Sequence, residues 1–123
     1  VNLVSQDDQI SEKPQGVALR FWSAVIESVD YFIGCDSVGQ HMARAFEIPG
    51  TVIMGSTYAS NVSYPDYFNI IENKNIEKVY SPIRVAGFDC HLSDRLNDGL
   101  MNFSEDEVDE IYKSIVKDIK EKV

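Results

Sequence analysis

Apolar positions along the chain alternate between two spacings. In VALRFWSAVIESV, residues Leu19, Trp22, Val25, Ile26 and Val29 recur at i, i+3, i+6, i+7 and i+10, which is one face of a helix. YFIGC, residues 31–35, is a compact apolar run that suits a parallel strand covered on both faces. SVGQHMARAFEIPG then reads as a second helix. Asp36 or Ser37 caps it, Val38, Met42, Ala45 and Phe46 form its buried stripe, and Pro49 and Gly50 end it. TVIMG, residues 51–55, is a second buried strand.

VNLVSQ at residues 1–6 reads as an opening strand, and residues 7–16 as a polar loop broken by Pro14 and Gly16. The first 55 residues therefore order as strand, helix, strand, helix, strand. Short apolar strands alternating with amphipathic helices predict an α/β fold: a three-layer, Rossmann-like parallel sheet with right-handed crossovers. FNIIEN (68–73) and EKVYSPIRV (77–85) each suit a short strand, although Pro82 argues against a long central one. Residues 87–102 show no period and read as loop. In the last segment Ser104 and Glu107 form a capping box. Val108, Ile111, Tyr112, Ile115 and Ile119 supply an apolar face, so this is a packing helix with no catalytic role.

A length of 123 residues sets a single domain over 1–123. Lys and Arg number 11 and Asp and Glu 20, a formal charge of −9. Such a chain is a poor binder of nucleic acid and of anionic membrane surfaces, because both reward cationic side chains. One anionic small molecule held locally by backbone N–H groups stays open. Cys35 and Cys90 form no metal-binding or disulfide pattern, and neither is the spacing of His41 and His91 that of a zinc site. Reduced thiols, with Cys35 buried at a strand end, give the expectation of a cytoplasmic protein. No apolar run approaches the ~20 residues of a membrane span, so membrane insertion is not expected. No basic, apolar leader opens the chain, and its first residue is Val, which reads as a removed initiator or as a piece of a longer protein.

Chemistry concentrates in residues 30–57. A buried strand runs into the turn Asp36-Ser37-Val38-Gly39 and then a helix, and ligands of open parallel sheets bind beyond the carboxyl ends of strands. The helix start offers unpaired N–H groups suited to phosphate. The next strand ends in Gly55-Ser56-Thr57, bringing two hydroxyls to the same edge. Each feature also has a plain structural reading. Asp36 and Ser37 serve as an N-cap pair, His41 is a satisfied histidine, and Arg44 is solvated or ion-paired. Tyr58, Tyr64 and Tyr67 pack a loop rather than stack on a base or sugar.

This segment resembles the carboxyl-terminal domain of glycosyltransferase family 9, the heptosyltransferase-like enzymes of GT-B architecture. Their pattern is a strand ending in D-S-G, two residues, H-x-A, and a strand ending in G-x-T. The matching residues are Asp36, Ser37, His41, Ala43, Gly55 and Thr57. The late LMNFSEDEVDEIYKSI resembles the family's approach to its last helix. The resemblance implies a nucleotide-diphosphate-sugar donor bound by Asp36, Ser37, Val38, Gly39, His41, Gly55, Ser56 and Thr57, without a metal or other cofactor. The family's glycine after D-S is Val38 here, with Gly39 one position later. Either Gly39 allows the close backbone approach, or the donor site is altered. The family's general base lies in an amino-terminal domain with no counterpart here, so the resemblance implies a partial GT-B enzyme, inactive alone. A sugar-nucleotide epimerase-like GT-B relative carries a similar turn. The alternative from another class is a non-catalytic α/β module, a homodimer through an exposed sheet edge.

Overall fold

The computed structural model describes residues 18–76 and 99–123. The expected strands at 1–6 and 77–85, and the loops at 7–16 and 87–98, lie outside the described residues. Helix α1 (Leu19–Glu27) leads to β1 (Phe32–Cys35), α2 (Val38–Ala45), β2 (Gly50–Ile53), a short α3 (Ala59–Val62), β3 (Asn69–Ile71) and a long α4 (Glu105–Lys122). The three strands lie in the order β1-β2-β3 and pair in parallel. Phe32 is registered with Gly50, and Thr51 with Asn69. The protein is thus an α/β chain with a parallel sheet, as the alternation of periods predicts. No described helix is long and apolar enough to cross a membrane.

Helices α1 and α2 lie on one face of this sheet, and α4 packs on the other against β2 and β3. Val52 joins Ile26 of α1 and Ala43 of α2 in the core, with Met54, Ala59 and Phe68. Thr51, the neighbouring residue, points to the opposite face. There the Tyr31 hydroxyl lies 2.7 Å from Thr51 Oγ1 and donates to Asp118 of α4 at 2.6 Å. Asn69 Nδ2 donates to Thr51 Oγ1 and to Ser114 of α4, each at 3.1 Å. Lys122 pairs with Asp118 at 2.9 Å and donates to the Tyr67 carbonyl at 3.3 Å. Burial, and donation to Asp118, hold the Tyr31 phenol well above the usual tyrosine range.

This polar seam explains one departure from the expected pattern. Val108 and Tyr112 are exposed, at 51% and 67%. The side of α4 that meets the sheet carries Ser114 and Asp118 beside Ile111, Ile115 and Ile119, which are half-buried. Its amino end is the expected capping box, with Glu107 N donating to Ser104 Oγ and Ser104 N to Glu107 Oε2.

Other faces also differ from expectation. Among the described residues β1 is less covered than expected: Ile33 is 54% exposed and Cys35 is exposed rather than buried, β1 being at the end of the described sheet while α4 packs against β2 and β3. In α1, Leu19 and Phe21 are exposed while Ile26 is buried. In α2 the buried positions are Gln40 and Ala43, and Val38 and Ala45 face solvent. Helix α2 ends before Pro49. Glu47 takes the left-handed conformation (φ 59°), its amide donating to the Arg44 carbonyl at 3.2 Å and that of Ile48 to the Ala43 carbonyl at 2.8 Å. This is a Schellman termination. Gly50 belongs to β2, where a Cβ would lie 2.5 Å from the Phe32 carbonyl oxygen.

Candidate functional site

The carboxyl ends of β1 and β2 come together through Asp36. Gln40 Nε2 donates to Asp36 Oδ1 at 2.7 Å, and Thr57 Oγ1 to Asp36 Oδ2 at 2.9 Å. Gln40 is fully buried and also donates to the Val62 carbonyl at 3.2 Å, which fastens the end of α3 to the same point. One carboxylate and one amide therefore join the β1–α2 turn, the β2–α3 loop and α3. Both Asp36 oxygens are engaged by donors, which compensates the charge next to the turn.

The turn itself is open. Ser37 is the N-cap in extended conformation (φ −155°), and its hydroxyl makes no cap bond. Ser37 and Val38 are exposed and Gly39 is half-buried. The Gln40 amide returns to the Ser37 carbonyl at 3.3 Å, whereas no described residue accepts from the amides of Val38 or Gly39. The first turn of α2 contains no acidic residue. It therefore presents two free N–H donors and the positive end of an eight-residue helix to solvent.

Gly39 has a packing reason to be glycine. A Cβ there would stand 3.1 Å from Cε2 and 3.2 Å from Cζ of Phe32, so the glycine lets α2 approach β1 over that ring. The Val38 side chain is 41% exposed and stands outside the core. His41 lies one turn on, exposed, on the face shared by Ser37 and Val38. Its Nδ1 is 2.9 Å from the Tyr64 hydroxyl, and the rings meet edge to face.

The remaining expected residues divide. Thr57 is 8% exposed and bonded to Asp36, while Gly55 and Ser56 are half-buried in the neighbouring loop. Arg44 stacks over the Tyr67 ring at 4.3 Å, and Tyr64 and Tyr67 pack edge-on against Phe68. These contacts make Tyr64 and Tyr67 loop-packing residues, whereas Tyr58 is 39% exposed. Gln40 was missed by the sequence reading. The one signal for it is a polar residue at i+4 from Asp36 on a capped helix.

Among the described residues no three His, Cys, Asp or Glu side chains converge in a group able to hold a metal ion. Comparison with protein-family models, with curated proteins and with solved structures finds no match to this chain.

Proposed function

We propose that this chain is a donor-binding domain of the glycosyltransferase family 9 type, a Rossmann-like part of a GT-B enzyme that holds a nucleotide-diphosphate sugar. The observation that carries this reading is the pair of amides at Val38 and Gly39 that no described residue accepts from, at the carboxyl end of a parallel strand. A diphosphate accepts at both amides, with the Ser37 hydroxyl and His41 beside it on the same helix face. Asp36, Gln40 and Thr57 hold the turn in place rather than touching the ligand. During transfer an acceptor hydroxyl oxygen bonds to the sugar carbon and yields its proton to the general base, while the bond from that carbon to the diphosphate oxygen breaks and negative charge grows on the departing diphosphate. Fixed N–H dipoles stabilise that charge. The general base and the acceptor site belong to a second domain, in a longer chain or a partner.

Titration calorimetry with a nucleoside diphosphate, its monophosphate and the free nucleoside tests this. Binding of the diphosphate that weakens with each phosphate removed supports it. No heat from the diphosphate at millimolar concentration contradicts it.

A second reading rests on Ile33, which is 54% exposed on the end strand of the described sheet. It makes the chain a contact module, pairing through β1. Sedimentation of a dimer that Ile33→Lys converts to monomer favours it, and a monomer in the unaltered chain counts against it.

A further inference from the structure

We infer that α4 is a detachable strap: it undocks from the sheet as a unit while the sheet, α1 and α2 stay folded, so that the chain has a closed and an open form. The two forms differ at the polar seam beneath α4 and not at the α2 turn, and the device stands with or without a ligand there.

The apolar core does not include α4. Among the described residues it is built from Ile26, Ala43, Val52, Met54, Ala59 and Phe68, and none of the partly buried residues packed on it belongs to α4. No residue of α4 is buried. What α4 lays on β2 and β3 is the polar seam, flanked by half-buried Ile111, Ile115 and Ile119. The hydrogen bonds of this seam have a fixed direction. Asn69 Nδ2 gives one hydrogen to Ser114 and one to Thr51. Tyr31 spends its only hydrogen on Asp118, so across the 2.7 Å contact it is Thr51 that donates to Tyr31. Lys122 closes the carboxyl end on the Tyr67 carbonyl.

Undocking exchanges each of these partners for water, and the net loss per hydrogen bond is small beside that of opening an apolar core. The sheet face left behind carries Tyr31, Thr51 and Asn69, all able to bond to water. The released helix also holds itself together. It runs for 18 residues, starts at the Ser104–Glu107 capping box with Glu105, Asp106 and Glu107 in its first turn, and has Lys120 and Lys122 in its last. Lys113 pairs with Glu110 and Lys122 with Asp118 within the helix, independently of the sheet. An element with few buried apolar contacts and its own local support opens at a lower free energy than the fold as a whole.

Hydrogen exchange of the full chain under native conditions, read amide by amide at urea concentrations below the unfolding transition, separates the two openings. The amides of Ile115, Val116 and Ile119 are expected to be about tenfold or more less protected than those of Val52 and Ile53. Their exchange is also expected to depend less on urea, because strap opening exposes less surface than unfolding. Ile26→Val, a change in the core, is expected to speed exchange at Val52 and Ile53 about three- to tenfold and to leave the α4 amides unchanged. Tyr31→Phe, a change in the seam, is expected to speed the α4 amides by about the same factor. Equal protection of α4 and β2 in the unaltered chain, which requires no variant to fold, overturns the inference. So do α4 amides that follow Val52 in Ile26→Val, since α4 and the core would then open as one unit, and α4 amides that do not respond to Tyr31→Phe, since the seam would then not be what holds the strap.

Discussion

The Thr57 hydroxyl donates to Asp36 at 2.9 Å, across 21 residues of sequence, and so joins the loops that follow two adjacent parallel strands. Gln40 holds the other oxygen of the same carboxylate at 2.7 Å. The consequence is a turn whose shape is set from behind, leaving the Val38 and Gly39 amides facing out.

Removing that carboxylate leaves two donors without their acceptor. Asp36→Ala is expected to cost about 2–4 kcal/mol, and Thr57→Val about 1–2 kcal/mol, by denaturant unfolding. A double-mutant cycle between them is expected to show coupling, because they share one bond. Additive losses would contradict the clamp.

Tyr31 predicts an alkaline signature. Its folded-state pKa is raised, by burial first and by donation to Asp118 second, so the folded chain retains the phenolic proton where the unfolded chain loses it. Its contribution to stability is complete below the ordinary tyrosine pKa near ~10 and declines as pH rises above it. Unfolding measured from pH 8 to about 11.5 is expected to show Tyr31→Phe losing less stability with rising pH than the unaltered chain. Parallel curves would contradict the assignment.

Glu47 supplies the left-handed residue that ends α2. Glu47→Gly is expected to raise stability by about 0.5–1 kcal/mol, since glycine takes that conformation without the Cβ penalty. A loss of stability would show that the Glu47 side chain contributes more than its backbone costs.

Gly50 and Gly55 predict a contrast. A Cβ at Gly50 meets the Phe32 backbone oxygen, which cannot swing aside, whereas at Gly55 the nearest atom is Met101 Sδ at 3.6 Å, an ordinary contact. Gly50→Ala is expected to cost roughly 1–3 kcal/mol and Gly55→Ala little, by thermal unfolding. Equal effects would contradict the close approach of β1 and β2 at this point.

The elements were legible in the sequence wherever a local period decides them. The strand at Phe32–Cys35 and the capping box at Ser104 fall where the pattern places them, and the strand expected at 51–55 runs over Gly50–Ile53, taking in the glycine expected to end the helix before it. The faces were less legible, because long-range polar partners set them. Gln40 enters the interior since Asp36 and the Val62 carbonyl are there to receive its amide, and that rotates Val38 and Ala45 outward. Tyr31 and Asn69 likewise draw Ser114 and Asp118 of α4 onto the sheet and leave Val108 and Tyr112 in solvent. At the site, the motif marked the turn and its neighbour Thr57. It did not mark Tyr64, whose partnership with His41 spans 23 residues and follows no spacing rule.

The most direct test is a nitrogen–proton amide spectrum of the chain recorded while a nucleoside diphosphate is added. Binding at the first turn of α2 predicts the largest shifts at Ser37, Val38, Gly39 and His41, with the carboxyl-terminal half of α4 unmoved. Amides at those four positions that stay fixed at millimolar diphosphate, or shifts centred elsewhere, would contradict the account.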